Sequence, residues 1–257
     1  MESSNTIDYD VHWTQSLDTY RNHPTSRHRR RYVLEALKRE GVARDTSVFD
    51  YGCGAGILLE EIQENFGLPS SQLGGCDISE EAIGAARRRI QSPYFYHGEF
   101  PKIDLPMDIG ICTEVIEHTD QYVKILEWFA DNLKSNGIMI VTTQGGSLDP
   151  PDAYYGHVQH FRLHDLITLL RTMGFSRQRA RYWGFPLFTL QKWITKQIFA
   201  RIRDGYMIGQ MSSKKRLAFS LAYFLYFIHD AIPFGPQIFI TAKKGPTQRA
   251  AATVERA

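Results

Sequence analysis

Asp50-Tyr51-Gly52-Cys53-Gly54-Ala55-Gly56 decides how the whole chain is read, because a short apolar run, Ser47 to Asp50, ends in it and a helical run, Ile57 to Phe66, begins behind it. Glycines between a strand and a helix let the backbone turn sharply and approach a ligand closely, and the helix N-terminus adds partial positive charge. Two common uses of such a loop fail here. A dinucleotide-binding turn needs G-x-G-x-x-G/A, and counted from Gly52 the third small residue falls on Ile57. A phosphate-binding P-loop needs Gly-Lys-Ser/Thr, which does not follow.

Upstream of the loop, Tyr32, Val33, Ala36 and Leu37 recur at helical spacing between Arg29 and Arg39, and Gly41 stops that helix. Downstream, the pattern predicts strands at Leu73 to Asp77, Tyr94 to His97, Asp108 to Thr113 and Ile138 to Thr143. Helices are predicted between and after them at Glu80 to Ile90, Asp120 to Leu133 and Leu163 to Met173. Such alternation implies right-handed crossovers and a mostly parallel sheet covered on both faces. After Gly174 the rhythm changes: Arg177 to Trp183 and Gln237 to Ala242 read as strands, with about fifty residues rich in aromatics and Lys/Arg between them. A structureless loop of that length is improbable in a compact domain, so the stretch is read as a helical insertion. The expected division of one domain is an N-terminal helical lid and first helix over 1–44, a core over 45–183, an insertion or cap over 184–235, a final core strand over 236–245 and a flexible tail over 246–257.

The chain has 257 residues, 43% hydrophobic and 23% charged, which excludes disordered, collagen-like and coiled-coil classes. Its net charge of +2 conceals a polarised distribution. Residues 1–44 carry 8 Lys/Arg and 6 Asp/Glu, residues 45–161 carry 6 and 18, and residues 162–257 carry 16 and 4. That pattern suggests an acidic cofactor-handling part and a basic part facing something anionic. Three scattered cysteines, Cys53, Cys76 and Cys112, fit neither a disulfide framework nor a CxxC zinc site, and a reducing cytosol suits them best. Met1 to Asp10 lacks the basic and apolar regions of a signal peptide, and no run of about 18 apolar residues predicts a spanning helix.

An acidic residue followed by G-x-G-x-G, at a strand end and opening a helix, resembles the first motif of the class I S-adenosylmethionine-dependent methyltransferases. The resemblance covers about residues 45–180 and the final strand. It implies a Rossmann-like α/β fold with a seven-stranded, mostly parallel sheet, helices on both faces and the helical insertion before the last strand. It further implies S-adenosylmethionine as methyl donor and S-adenosylhomocysteine as product. By the same resemblance Asp50 helps hold the methionine end, with Gly52, Cys53, Gly54 and Gly56 beneath it, and Asp77 chelates the ribose hydroxyls with Ile78 beside it. Glu99 and Phe100, in Gly98-Glu99-Phe100, read the adenine edge and face, and Thr113 and Glu114 stand at the cofactor's edge. The chemistry agrees, since a carboxylate accepts two hydroxyl hydrogen bonds and nearby acids favour a sulfonium.

Thr113-Glu114-Val115-Ile116-Glu117-His118 looks like the segment found in ubiquinone-biosynthesis O-methyltransferases and small-RNA 3′-end methyltransferases. Some members of both groups bind a divalent cation through two glutamates and this histidine. The matching ligands here would be Glu114, Glu117 and His118, with His157 or His160 as a further one. The same segment is widespread in methyltransferases that use no metal, and the metal-free reading is preferred. Methyl transfer needs chiefly alignment, and a hydroxyl nucleophile also benefits from a base. The candidates are His157, His160 and His118, with His157 preferred.

The N-terminal Tyr9, His12, Trp13, Tyr20, Arg21 and His23 are read as a lid, and Arg27, Arg29, Arg30 and Arg31 as a solvated helix face. Gln191 to Arg216 holds 7 Lys/Arg and a single acid, Asp204, and Leu217 to Ile228 is mostly apolar. This insertion is read first as a cap and second as a surface for a lipophilic or membrane-resident substrate. The expected partner is a small molecule, anionic or lipophilic, with peripheral membrane contact admitted and nucleic acid disfavoured for want of a recognised module. The expected reaction is therefore O-methylation of a small molecule in the cytoplasm. The alternatives are a membrane-associated acceptor, a metal-assisted RNA-end reaction and a cofactor-binding interaction protein; Ile57 disfavours a nicotinamide oxidoreductase.

Overall fold

The computed structural model describes residues 7–105, 107–202 and 211–246. The tail expected at 246–257 lies outside the described residues except for Pro246, as does Asp204 of the insertion. The chain begins with α1 (Tyr9–Asn22) and α2 (Pro24–Glu40). Asp8 caps α1 by accepting from the amides of Asp10 and Val11. Pro24 occupies the first position of α2, and Gly41 ends it in the left-handed conformation. The alternating part follows as β1 (Val48–Tyr51), α3 (Ile57–Phe66), β2 (Leu73–Asp77), α4 (Glu80–Ile90), β3 (Tyr94–His97), β4 (Met107–Thr113), α5 (Tyr122–Asn132) and β5 (Leu133–Gln144). Then come α6 (Pro150–Tyr154), α7 (Leu163–Thr172), β6 (Phe175–Trp183), α8 (Leu187–Ile202), α9 (Ser213–Leu225), α10 (Ile228–Ala231) and β7 (Gln237–Lys244).

The sheet has seven strands in the order β3-β2-β1-β4-β5-β7-β6, parallel except for β7, which runs antiparallel to both β5 and β6. Two apolar clusters, one on each face, explain the near-continuous hydrophobic strands. One joins Val33 and Leu37 of α2, Leu59 and Ile62 of α3 and Ile83 of α4 to the sheet. The other joins Leu126 and Phe129 of α5 and Leu166 and Leu170 of α7 to the opposite face. Because β2 and β4 flank β1 on opposite sides, the carboxyl ends of β1 and β4 border a topological switch point, where open α/β sheets form their ligand crevice.

Three differences from the sequence expectation have physical causes. Strand β5 begins at Leu133 rather than near Ile138, since Leu133 pairs with Met107 of β4 across an irregularity and so extends the strand through a polar lead-in that periodicity misses. Helix α2 starts five residues earlier than Arg29, at Pro24. The arginine run is not a solvated face: Arg29 and Arg30 are 7% and 3% exposed, and Arg30 Nε bonds Glu61 Oε1 of α3 at 2.9 Å. A charge run read along one helix does not disclose acids brought to it by another.

His229 of α10 is fully buried among His28, Trp183 and Tyr226, and neither of its ring nitrogens has a hydrogen-bond partner. Burial holds its pKa down near 4, with Arg181 and Arg31 pushing the same way against Asp230. The native imidazole thus resists a proton that the unfolded chain takes up. Its effect is absent above pH 6.5, and stability is lost as pH falls from 6.5 toward 4. His229→Phe is expected to gain about 1.4 kcal/mol on wild type for each pH unit in that window, read by urea unfolding at pH 7, 6 and 5.

Candidate active site

The glycine loop is tied to the end of β2. The amides of Gly52 and Cys53 both donate to the Cys76 carbonyl, at 2.8 and 2.9 Å, and the Gly54 amide donates to Asp77 Oδ2 at 2.8 Å. A Cβ on Gly54 would fall 2.1 Å from Trp13 Cζ2, and one on Gly52 2.3 Å from Val115 Cγ2, both at positive φ. Glycine is therefore required at both points by conformation and by space. Helix α1 sits on the loop through Trp13, and Asp10 on the same helix accepts from Ser79 Oγ at 2.6 Å.

Above this loop lies a cavity of about 310 Å³. Its walls include Gly52, Asp77, Ile78, Thr113 and Glu114 among the residues expected for the cofactor, together with Tyr51 and Cys76. Tyr9, His12, Trp13 and Tyr20 of α1 and Arg29 of α2 close it from above. Asp50 is buried behind the loop with Oδ1 unpartnered, and burial followed by the charge of Asp77 pushes its pKa well up. Asp77 is also raised by burial, although amides from Ser79 and Gly54 oppose the shift. Cys53, Gly54 and Gly56 build the loop without lining the cavity, and Cys53 and Cys112 are buried in packing. Glu99 is exposed and Phe100 packs on Tyr51 at 6.2 Å, so the cavity is walled at that point by Gly98 instead.

A second cavity, of about 220 Å³, adjoins the first, and Arg29, Glu114, Tyr155 and His157 line both. Its far wall comes from Phe188, Gln191, Lys192 and Thr195 of α8, with Gln144 at the end of β5 and Gln237 at the start of β7. Arg29 bonds Glu114 Oε2 at 2.9 Å across the waist, and Thr142 donates to Glu114 Oε1 at 3.0 Å. Lys192 Nζ bonds both oxygens of Asp152, at 2.9 and 3.0 Å. Among its described lining residues this cavity has two cations and three carboxylates, Glu114, Asp149 and Asp152.

The histidines after α6 form a relay. His160 Nδ1 lies 3.1 Å from the Ser147 carbonyl, which can only accept, so that nitrogen carries the proton. His160 Nε2 then accepts from His157 Nδ1 at 2.9 Å, and His157 Nε2 keeps its lone pair. Burial, then the neighbouring His118 and His160, hold the His157 pKa near 2, so the imidazole is neutral at physiological pH. His118 meets His157 edge-on, ring centroids 4.6 Å apart, and burial holds its pKa near 4.

The expected metal set is only partly assembled. Donor atoms of Glu117, His118 and His157 lie within 4.8 Å of one another, and Glu117 Oε1 and His118 Nδ1 are buried without partners. Glu114, the fourth member, is held by the Arg29 guanidinium instead. Burial, then the charge of Glu114, pushes the Glu117 carboxyl well up, toward its neutral form. With Glu114 held by Arg29 the expected four-ligand set is not assembled; the donors that do converge are Glu117, His118 and His157, and beside them Asp152, His157 and His160.

The residues do fit S-adenosylmethionine. Asp50 Oδ1 and Arg29 Nε are buried and unpartnered, a carboxylate stands at the end of β2, and the loop leaves no room for a Cβ. Sequence reasoning missed Arg29, Tyr51, Tyr155 and Gln237 as wall residues. Tyr51 could have been suspected from its place inside the glycine motif; the others carry no local signal.

A sheet in this order, with a glycine loop and an acid closing its first two strands, defines the class I S-adenosylmethionine-dependent methyltransferase fold. The chain belongs to the methyltransferase-domain family, whose profile spans residues 20–180. Among curated relatives it is 25% identical over 124 residues to trans-aconitate 2-methyltransferase of Rhizobium rhizogenes, covering 48% of each chain. It is 26% identical over 121 residues to the mitochondrial ubiquinone biosynthesis O-methyltransferase of Schizosaccharomyces pombe, covering 44% of this chain and 43% of that one. The match thus spans less than half the length of these relatives. A putative sarcosine dimethylglycine methyltransferase from Galdieria sulphuraria superposes with a TM-score of 0.61 at 15% identity, over 86% of each chain.

Proposed function

We propose that the protein transfers a methyl group from S-adenosylmethionine to a hydroxyl of a small, uncharged polar molecule, with His157 as general base. The observation that carries this reading is the meeting of two cavities at His157, with Nε2 left unprotonated by the Ser147–His160–His157 chain. When bound, S-adenosylmethionine supplies an electrophilic methyl on a sulfonium.

The rest is the work of the chain. The glycine loop and Asp77 hold the cofactor's ribose side, and the unpartnered Arg29 Nε is available to a carboxylate. Helix α1 covers the site and excludes water. His157 Nε2 accepts the hydroxyl proton, and Nδ1 remains hydrogen-bonded to His160, so the charge that develops on His157 is shared along the relay. Proximity in the adjoining cavities supplies much of the remaining acceleration. Each cation lining the acceptor cavity is matched by a carboxylate, Arg29 by Glu114 and Lys192 by Asp152, which favours a neutral acceptor over an anionic one.

One observation favours a second reading. The converging Glu117, His118 and His157 could hold a divalent ion that activates the hydroxyl. The two readings separate in one experiment: S-adenosylhomocysteine formation with a panel of neutral hydroxylated acceptors, with and without chelator. Turnover that survives the chelator is expected. Loss restored by a divalent ion would favour the second reading, and turnover only with amines would overturn the hydroxyl acceptor.

A further inference from the structure

Of the seventeen large apolar side chains exposed among the described residues, twelve fall between positions 185 and 234. Single exposed apolar residues are ordinary on a protein surface, whereas a concentration of them marks a contact. On α9 and α10, Leu217, Leu221, Phe224, Leu225 and Ile228 are 62%, 61%, 70%, 64% and 45% exposed. Their spacing puts them on one face, with the exposed Lys214 one turn before them. The other face is already occupied. Phe219 meets His23 at 5.1 Å, Tyr223 lies under the Arg27 guanidinium at 4.0 Å, and Tyr226 is buried against His28.

Helix α8 has the same division. Leu190, Trp193, Ile194 and Ile198 are exposed, Trp193 at 59%, while Phe188, Gln191, Lys192 and Thr195 line the acceptor cavity. The two helices are joined on their inner sides by Tyr226, which donates to Gln191 Oε1 at 2.7 Å. Across the described residues 185–202 and 211–234 there are six Lys/Arg and one acid, Asp230, which is paired with Arg31; Lys192, Lys196 and Arg216 are paired in turn with Asp152, Asp149 and Asp18, while Lys214 is exposed beside the apolar face. No helix among the described residues is long and apolar enough to cross a membrane.

Apolar side chains rimmed by cations complement a layer that presents anions above hydrocarbon. A second copy of this chain would set the same cations against each other in a two-fold contact, and nucleic acid has no use for the apolar residues. We propose that the outer faces of α8, α9 and α10 seat this protein on an anionic phospholipid bilayer. Leu221 and Phe224 enter the acyl boundary, and Trp193 and Lys214 lie at headgroup level. Since the inner face of α8 lines the acceptor cavity, docking brings that cavity within about one helix diameter, roughly 10 Å, of lipid. The proposal is independent of which acceptor is methylated.

The test is co-sedimentation of the full chain with vesicles of phosphatidylcholine alone or of equal parts phosphatidylcholine and phosphatidylglycerol. Binding is expected to the mixed vesicles, falling with salt. Lys214→Ala should weaken it about fivefold, and the double variant Leu221→Asp/Phe224→Asp by tenfold or more, with unfolding midpoints near wild type in both. Absence of binding to the mixed vesicles would overturn the proposal, as would binding indifferent to the double variant. A concentration-dependent dimer abolished by that variant would assign the face to a second copy instead.

Discussion

His157→Ala is expected to lower kcat by roughly 10²-fold, the low end for a positioned base because burial makes this imidazole a weak one, while leaving affinity for S-adenosylhomocysteine within a few-fold of wild type. The split follows from where the residue stands. His157 lies on the wall common to both cavities, whereas the carboxylate and glycines expected to grip the cofactor sit at the ends of β1 and β2. His160→Ala should cost less, since it leaves His157 in place but frees its tautomer. Stopped assays under saturating cofactor with parallel calorimetry check both. Near-normal turnover in His157→Ala would remove the base from the account and leave proximity alone.

Arg29→Ala is expected to be the most destabilising single change at the site, by about 3–5 kcal/mol, as is typical when one partner of a buried ion pair is removed. Arg29 is 7% exposed, and its guanidinium is the cationic partner of Glu114 at 2.9 Å. Burial works against its charge, but Glu114 outweighs this and the net shift is upward. Without it, a partly buried Glu114 faces Glu117, whose own carboxyl is already pushed toward the neutral form. For a chain of this size the midpoint of thermal unfolding should fall on the order of 10 °C. Arg29→Met/Glu114→Gln should recover most of the loss, because it removes both charges rather than orphaning one. Urea titration of Arg29→Met, Glu114→Gln and their double variant measures the coupling; additive losses would show that the pair does not interact energetically.

The sequence made the sheet legible because its inner strands are buried on both faces and its strands are bounded by glycine and polar turns. Leu73–Asp77 forms as a fully buried run, and the edge strand Tyr94–His97, in which only Phe95 is buried, forms within the expected bounds. The glycine loop was legible for a different reason: turning sharply at a strand end restricts the choice of residue, so Gly52 and Gly54 record the geometry in the chain itself. Wall residues recruited from afar leave no such record. Arg29 reads locally as one of several arginines on a polar helix, and only the approach of β4 makes it the partner of Glu114. Gln237 and Lys192 reach the second cavity from β7 and α8, Gln237 lying 93 residues along the chain from its neighbour Gln144 and Lys192 lying 40 from Asp152. The relay is intermediate. The spacing of His157 and His160 was visible, but the direction of its protons depends on the Ser147 carbonyl.

Calorimetric titration of the full-length protein with S-adenosylhomocysteine, beside Asp77→Ala, tests the central claim most directly. The carboxylate of Asp77 lines the larger cavity and bonds the glycine loop, so it is placed to take two ribose hydroxyls. Losing charge-assisted hydrogen bonds of about 1.5–3 kcal/mol each predicts saturable one-to-one binding by wild type and at least tenfold weaker binding by the variant. Heat indistinguishable from dilution in wild type, or equal affinity in the two proteins, would contradict the assignment of this cavity to S-adenosylmethionine.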